Sequence, residues 1–330
     1  MKNDLNRIYV TGGAGYVGAM LVPRLLAEGR HVTVLDLMIY GADVLPAHPS
    51  LTVITGDLRD AALLERTLPG HDAVIHLACI SNDPSFDLSP ELGRSINLDA
   101  FRPLVELSVR AGVKRFVYAS SSSVYGVKAE PNVHEGMSLE PLTDYSRFKA
   151  DCEKILAEYQ SPMFTTVTIR PATVCGYSPR QRLDVVVNIL TNLAYHKREI
   201  SVFGGAQLRP NIHIADMVES YIALLDAPSD AVAGEIFNAG DENRSVLELA
   251  ETVKGVIGED VTLVATPTND MRSYHISSQK IADRLGFVPK HTIREAVEDL
   301  RDALVNGKLP NSLQDERYFN IKRMQNLKLQ

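Results

Sequence analysis

The run Thr11-Gly12-Gly13-Ala14-Gly15-Tyr16-Val17-Gly18 directly follows the apolar stretch Ile8 to Val10 and leads into a helix-period segment. It reads as G-x-x-G-x-x-G from Gly12 or as G-x-G-x-x-G from Gly13. Glycines here let the backbone turn tightly and approach a pyrophosphate, and the following helix offers free N–H groups and a positive dipole end. The second apolar stretch ends in Asp36. A carboxylate there accepts from both hydroxyls of an adenosine ribose and repels a 2′-phosphate, which favours NAD over NADP. Strand, loop, helix and acid in this order predict a dinucleotide site, where a glycine-rich turn beside a surface aspartate would not need the order. Asp57-Leu58 is placed to meet the adenine edge; Asp57 could equally be an N-cap for the helical segment that follows it.

The rest of the first half fits that start. Ile8–Val10, His31–Leu35, Leu51–Ile54, Ala73–Leu77 and Arg115–Tyr118 read as strands buried on both faces. Helical segments are expected near 15–28, 60–68, 91–111 and 144–160, with Pro103 kinking or breaking the third. Strand–helix alternation predicts an α/β fold with a parallel sheet covered on both sides. After residue 175 the rhythm loosens: helices are expected at 184–198, 215–225, 246–257, 277–285 and 292–306, and a strand at 200–203. Ile236–Asn238 is expected to rejoin the first sheet, and the tail 310–330 to pack on its own lobe. Length alone favours two lobes for 330 residues.

Composition excludes several classes. No apolar stretch reaches the roughly 18 residues a membrane span needs, and Met1 to Leu5 carries no apolar signal core. With 34 basic and 41 acidic residues the chain carries −7, which argues against a nucleic-acid partner. Cys79, Cys152 and Cys175 are odd in number and widely spaced, forming neither a disulfide framework nor a metal pair. A reducing, cytoplasmic setting is the simplest home for them. No His/Asp/Glu cluster has metal-ligand spacing, and hydride chemistry on NAD needs no metal.

Tyr145 and Lys149 stand four residues apart at the start of a helix, on one face of it. A phenol is a poor base near neutrality, with an ordinary pKa of about 10. A neighbouring ammonium favours the phenolate, which can then take a hydroxyl proton while a hydride leaves the same carbon. The spacing alone is common on solvated helix faces. The fifth strand, however, runs into Ala119-Ser120-Ser121-Ser122-Ser123-Val124-Tyr125-Gly126, and strand ends in open parallel sheets face the ligand crevice. A serine hydroxyl there could hold the reacting oxygen. His76 and His213 read as structural.

These motifs, with His76-Leu77-Ala78, Asn97, Arg170-Pro171, Arg209 to Asp216, Phe237-Asn238-Ala239-Gly240 and Leu285-Gly286-Phe287, resemble the extended short-chain dehydrogenases/reductases in order and over nearly the whole chain. The likeness is to their nucleotide-sugar epimerase/dehydratase branch. It implies a Rossmann-type doubly wound sheet over 1–176, with 211–240 returning to it, and a smaller mixed α/β substrate lobe over 177–330. It implies Tyr145 as base, Lys149 as its partner on the nicotinamide ribose, and Ser121 as the hydroxyl, with Ser122 as fallback. NAD would be held by Gly12, Gly15, Tyr16, Val17, Asp36, Asp57, Leu58, Leu77, Ala78, Tyr145 and Lys149. Ser122, Asn188, Arg209 and Arg272 would meet the sugar nucleotide, the arginines by bidentate contact with its diphosphate. The helices at 91–111 and 144–160 would pair across a homodimer.

The branch contains 4-epimerases, 4,6-dehydratases, decarboxylases and 4-ketosugar oxidoreductases. Dehydratases resemble one another in carrying Asp-Glu where Ser122-Ser123 stands here, and decarboxylases commonly carry Glu at the second of these positions. Hydroxyls are poor substitutes for that proton work, so a 4-epimerase is the expected activity. Arg170-Pro171-Ala172-Thr173-Val174-Cys175-Gly176 lacks the Asn common in the branch, and 170–216 resembles a subgroup that includes a GDP-heptose 4-dehydrogenase. A GDP- or UDP-linked sugar, and a 4-dehydrogenase or 4-ketosugar reductase, therefore stay open, as does a non-catalytic NAD-binding regulator. Ile80 to Pro84 would line the sugar pocket by position.

Overall fold

The computed structural model describes residues 5–41, 43–81, 89–130, 132–268, 273 and 275–327. The first-half strands form as β1 (Arg7–Thr11), β2 (His31–Asp36), β3 (Leu51–Thr55), β4 (Ala73–His76) and β5 (Arg115–Ala119), joined by β6 (Thr165–Pro171). Three strands follow: β7 (Thr173–Cys175), β8 (Glu199–Phe203) and β9 (Leu208–His213). The last three are β10 (Glu235–Ala239), β11 (Glu242–Ser245) and β12 (Thr262–Thr266).

Seven strands make one parallel sheet in the order β10-β6-β5-β4-β1-β2-β3. The chain winds outward to β3 from β1, then crosses back to β4 and winds the other way. The order therefore reverses between β1 and β4, and a crevice opens beyond the carboxyl ends of those two strands. The segment expected to rejoin the sheet does so, Ile236 lying opposite Thr168. One expectation is corrected: β3 is not buried on both faces. It is the sheet edge, and Val53 is 44% exposed there.

Alternation along β1 supplies both faces of the core. Ile8 and Val10 pack with Leu21, Val22 and Leu25 of the helix Gly18–Ala27 on one side. Tyr9 packs with Leu64, Phe101 and Leu104 on the other. The expected 91–111 helix is broken into Pro90–Arg94, a wider π-type turn Ser95–Asp99, and Phe101–Arg110. Pro103 has no N–H for the carbonyl of Asp99, four residues back, and the break falls in the turn before it. Arg115 is fully buried in β5, where Nη1 donates to the carbonyls of Leu224, Leu225 and Ala227. Those are end carbonyls of the helix Ile214–Asp226, which that helix cannot satisfy itself.

The smaller lobe is mixed α/β. Its three-stranded sheet runs β11-β9-β7, with β9 antiparallel to β11 and parallel to β7; β8 and β12 pair separately. Helices Val186–Lys197, Val246–Ile257 and Ile293–Val305 bury Val187, Leu249 and Val297 in its core. The tail corrects another expectation. Its helix Asn320–Leu327 does not stay on its own lobe: Arg323 Nε donates to Ile39 O at 2.5 Å, and Met324 joins the core under β4 and β5.

Candidate active site

A cleft of about 360 Å³ opens at the switch point. Its floor is the glycine loop. Gly12 has φ +73°, and a Cβ there would stand 2.5 Å from Ala78 N; one on Gly18 would stand 2.4 Å from Gly13 O. No side chain fits at either place, so loop, β4 end and helix start close up to leave a backbone-lined cradle. Gly15, Tyr16 and Val17 line it at the helix start.

Asp36, at the end of β2, lines the same cleft. Its Oδ2 accepts from Ala14 N at 3.0 Å and its Oδ1 from Met38 N at 2.8 Å. Each carboxylate oxygen keeps a lone pair for a further donor. Burial pushes this carboxyl above the usual range, opposed by those two N–H groups and by Arg180. Asp57 and Leu58 follow β3 and also line the cleft. Asp57 is not the helix cap; Asp60 is, accepting from Leu63 N at 3.0 Å. Burial acts to raise the Asp57 carboxyl, but the Arg59 guanidinium gripping it, with Nη2 at 2.6 Å, leaves it below the usual range. Leu77 and Ala78 complete the far side.

The other end is built by β5 and the helix Asp144–Ala157. Thr143 and Ser146 form a reciprocal capping box that fixes where this helix starts. Tyr145 and Lys149 thus face the cleft together, with Lys149 Nζ 5.8 Å from the Tyr145 ring centroid. Lys149 Nζ donates to Ala119 O at 2.7 Å, tying the helix to the strand end. Ser121 and Ser122 line the cleft beside them. The Ser121 hydroxyl accepts from Ser123 N at 3.1 Å and shares a 2.8 Å bond with Ser123 Oγ. Ser120 also reaches the cleft lining, but its hydroxyl is committed behind the wall, to Glu153 Oε1 at 2.5 Å.

That wall is a closed polar network. Glu153 takes Arg170, whose Nη1 donates to Tyr125 OH at 2.8 Å; Tyr125 OH donates in turn to Asn238 Oδ1 at 2.8 Å. His76 is buried, bonds Thr11 Oγ1 at 2.7 Å, and is pushed down to about 3 by burial, with Lys149 adding to the effect. It is a neutral structural histidine.

All the residues expected to hold a dinucleotide therefore come together in one cleft, as do Ser121 and Ser122. Asn188 does not. It is fully buried outside the lining, with Oδ1 taking Gly176 N and Nδ2 donating to Tyr16 OH and Arg182 O. Its amide is used up in shaping the 176–188 loop, which corrects the expected substrate contact. Arg209, half-buried on β9, donates to Leu208 O and is not among the cleft-lining residues. Arg272 and Asn82 to Pro84 lie outside the described residues. Sequence reasoning missed Tyr40, Arg180, Arg182, Asn320 and Met324, all of which line the cleft. The signal for two of them was an Arg-x-Arg pair close after the Arg170-Pro171 motif. Among the described residues, no group of three or more His, Cys, Asp or Glu side chains could hold a metal ion, and no helix is long and apolar enough to cross a membrane.

The model of the NAD dependent epimerase/dehydratase family matches residues 8–240. A UDP-glucose 4-epimerase of Lactobacillus helveticus is 28% identical, the match covering 89% of this chain and 94% of the relative. A UDP-glucuronic acid decarboxylase of Arabidopsis thaliana is 30% identical, with 91% and 71% covered. The crystal structure of a dTDP-glucose 4,6-dehydratase from Streptomyces venezuelae, with NAD bound, superposes with a TM-score of 0.84 at 25% identity, covering 93% of this chain and all of the other.

Proposed function

Since the chain belongs to the NAD-dependent epimerase/dehydratase family, we propose that it is a nucleotide-diphosphate-sugar 4-epimerase working through a transient 4-keto sugar. It is an enzyme of the extended short-chain dehydrogenase/reductase type and its cofactor is NAD. The cradle left by Gly12 and Gly18 and the spare acceptors on Asp36 fit that cofactor. Residues 1–176 with 211–240 would supply most of its contacts, and 177–330 would hold the GDP- or UDP-linked sugar.

The observation that carries the epimerase reading is where the carboxylates are. Among the described residues, those lining the cleft are Asp36 and Asp57, at the β2 and β3 ends of the sheet, remote from Tyr145 in the strand order. Dehydration across C5 and C6 calls for a proton-transferring acid and base beside the sugar. The groups beside Tyr145 are instead the hydroxyls of Ser121, Ser122 and Ser123. A 4-epimerase needs no more than those and the Tyr145–Lys149 pair.

Bound NAD supplies the acceptor for the hydrogen on sugar C4. Tyr145 takes the C4 hydroxyl proton and returns it once the sugar has presented its other face. Ser121 holds that oxygen, and its bonds to Ser123 fix the hydroxyl in place. Lys149, anchored on Ala119 O, keeps a positive charge beside the developing phenolate.

A net 4-dehydrogenase or 4-ketosugar reductase is the second reading, favoured by Thr173 lining the cleft where the branch commonly carries Asn. Proton NMR with UDP-, GDP- and dTDP-sugars, heptoses included, and a trace of NAD separates the two. Full conversion of one sugar to its stereoisomer without net NADH is expected. Conversion that stops at the amount of NAD supplied would overturn the epimerase in favour of the dehydrogenase. We also propose a homodimer through the 91–111 and 144–160 helices, to be checked by light scattering of the purified chain.

A further inference from the structure

Arg180 and Arg182 come from the loop after β7, which is bonded to Tyr16 of the glycine loop through Ser178 and Asn188, and both line the cleft. Both are held in place without using all their donors. The Arg180 guanidinium lies 3.6 Å from the Tyr40 ring centroid, and its Nη2 donates to Asn320 Oδ1 at 2.6 Å. Arg182 donates through Nε to Asp184 Oδ1 at 2.8 Å and through Nη1 to Ser81 Oγ at 3.3 Å. What remains is Arg180 Nε and Nη1 and Arg182 Nη2, sealed from solvent and without a partner.

Buried guanidinium donors without an acceptor are costly, and the Tyr40 ring at Arg180 and the Asp184 carboxylate at Arg182 offset only part of that cost. Arg180 is only 4% exposed, and burial pulls its pKa down to about 10. Asp184 neutralises one of the two charges. The other has no carboxylate bonded to it among the described residues. Both residues line the cleft, so an anion there would supply the missing acceptors once the guanidinium groups turn toward it.

The position of the pair says which anion. Arg180 lies over Tyr40, in the segment after Asp36, the residue placed for the adenosine ribose. Arg182 bonds Ser81, in the segment after β4, on the other flank of β1. The loop that carries both is bonded to Tyr16 of the glycine loop. In a dinucleotide the group between the two riboses is the pyrophosphate. We propose that Arg180 and Arg182 form a two-guanidinium anion site on the wall beside the glycine loop, and that its ligand is the pyrophosphate of NAD. The cofactor's pyrophosphate is then shared between backbone N–H groups of the glycine loop and the guanidinium forks of the neighbouring loop. Asn320 makes the tail part of that clamp, since its side chain holds both Arg180 and Ser81.

The inference rests on NAD as cofactor and not on which sugar reacts, so binding tests it independently of turnover. The full-length protein, stripped of nucleotide, is titrated calorimetrically with NAD, ADP-ribose, adenosine and a nucleotide-sugar panel. Arg182→Gln and Arg180→Gln are each expected to weaken NAD and ADP-ribose at least tenfold and adenosine less than twofold. Unchanged NAD affinity would overturn the proposal. So would equal weakening of adenosine, which marks a general collapse of the cleft, or a loss confined to the nucleotide sugars, which assigns the pair to the substrate's diphosphate. If Arg180→Gln does not fold, the same outcomes read on Arg182→Gln alone support or overturn the clamp, and Arg180→Lys, which keeps the charge, is expected to hold NAD more tightly than Arg182→Gln.

Discussion

Glu153 takes two donors of Arg170, Nε at 3.0 Å and Nη2 at 2.6 Å, in a pair whose side chains are 5% and 3% exposed. Glu153 belongs to the helix that carries Tyr145 and Lys149, and Arg170 to β6, so the pair locks that helix onto the sheet. Removing one partner of such a pair strands a buried charge. Arg170→Met is expected to cost about 3–5 kcal/mol, and the double change Glu153→Met/Arg170→Met much less than the sum of the singles. Urea midpoints of the four proteins check it; additive losses would show that the two residues act separately.

Tyr145→Phe is expected to lower kcat by about 10²–10⁴-fold while NAD affinity stays within twofold. Ser121→Ala should fall in the same direction by a smaller factor, and Ser122→Ala by less than Ser121→Ala. Undiminished turnover of Tyr145→Phe would remove the base assignment, and a larger loss at Ser122 would move the hydroxyl role to that residue.

Asn188→Ala is expected to act on stability and not on substrate affinity. The change leaves Gly176 N short of its partner, while Tyr16 OH keeps its bond to Gly176 O, and a buried unsatisfied group costs about 1–3 kcal/mol. A lowered Tm with an unchanged KM for the nucleotide sugar is the expected pair of results. A raised KM at unchanged Tm would restore Asn188 as a substrate contact.

His76 makes stability depend on acid. Its folded pKa is depressed to about 3, against roughly 6.5 for an unfolded histidine. Below the unfolded value the open chain takes up a proton that the folded chain refuses, so stability falls as pH drops from 6.5 toward 3. The slope from this group approaches about 1.4 kcal/mol per pH unit. His76→Gln should show a shallower decline of urea stability between pH 6.5 and 4 than the parent; identical slopes would show that other groups carry the acid response.

What could be read from the sequence was what depends on near neighbours. The glycine spacing, Asp36 at a strand end and the Tyr145–Lys149 pair are set by local geometry, and all fall in the cleft. Strand β6 escaped notice because Thr165-Thr166-Val167-Thr168-Ile169 offers hydroxyls where a buried strand is sought as an apolar run; Thr165, Thr166 and Thr168 are nonetheless buried. Pro103 announced a break but not the turn in which it would fall. Arg180 and Arg182 could not be assigned because their placement depends on Tyr40, Ser81, Asp184 and Asn320, three of them far away in the chain. Asn188 misled for the converse reason: a polar residue in a plausible place was satisfied internally.

The contact between Arg323 and Ile39 spans 284 positions of sequence. Closing a loop of that length is among the later events available to a chain made from its N-terminus, by which time β1, β2 and the glycine loop have long emerged. Until then Asn320 is absent from Ser81 and Arg180, and the cleft stands open along that side. That side of the cleft is therefore the last to be closed. The tail helix is thus the wall of the cleft that the rest of the chain cannot supply.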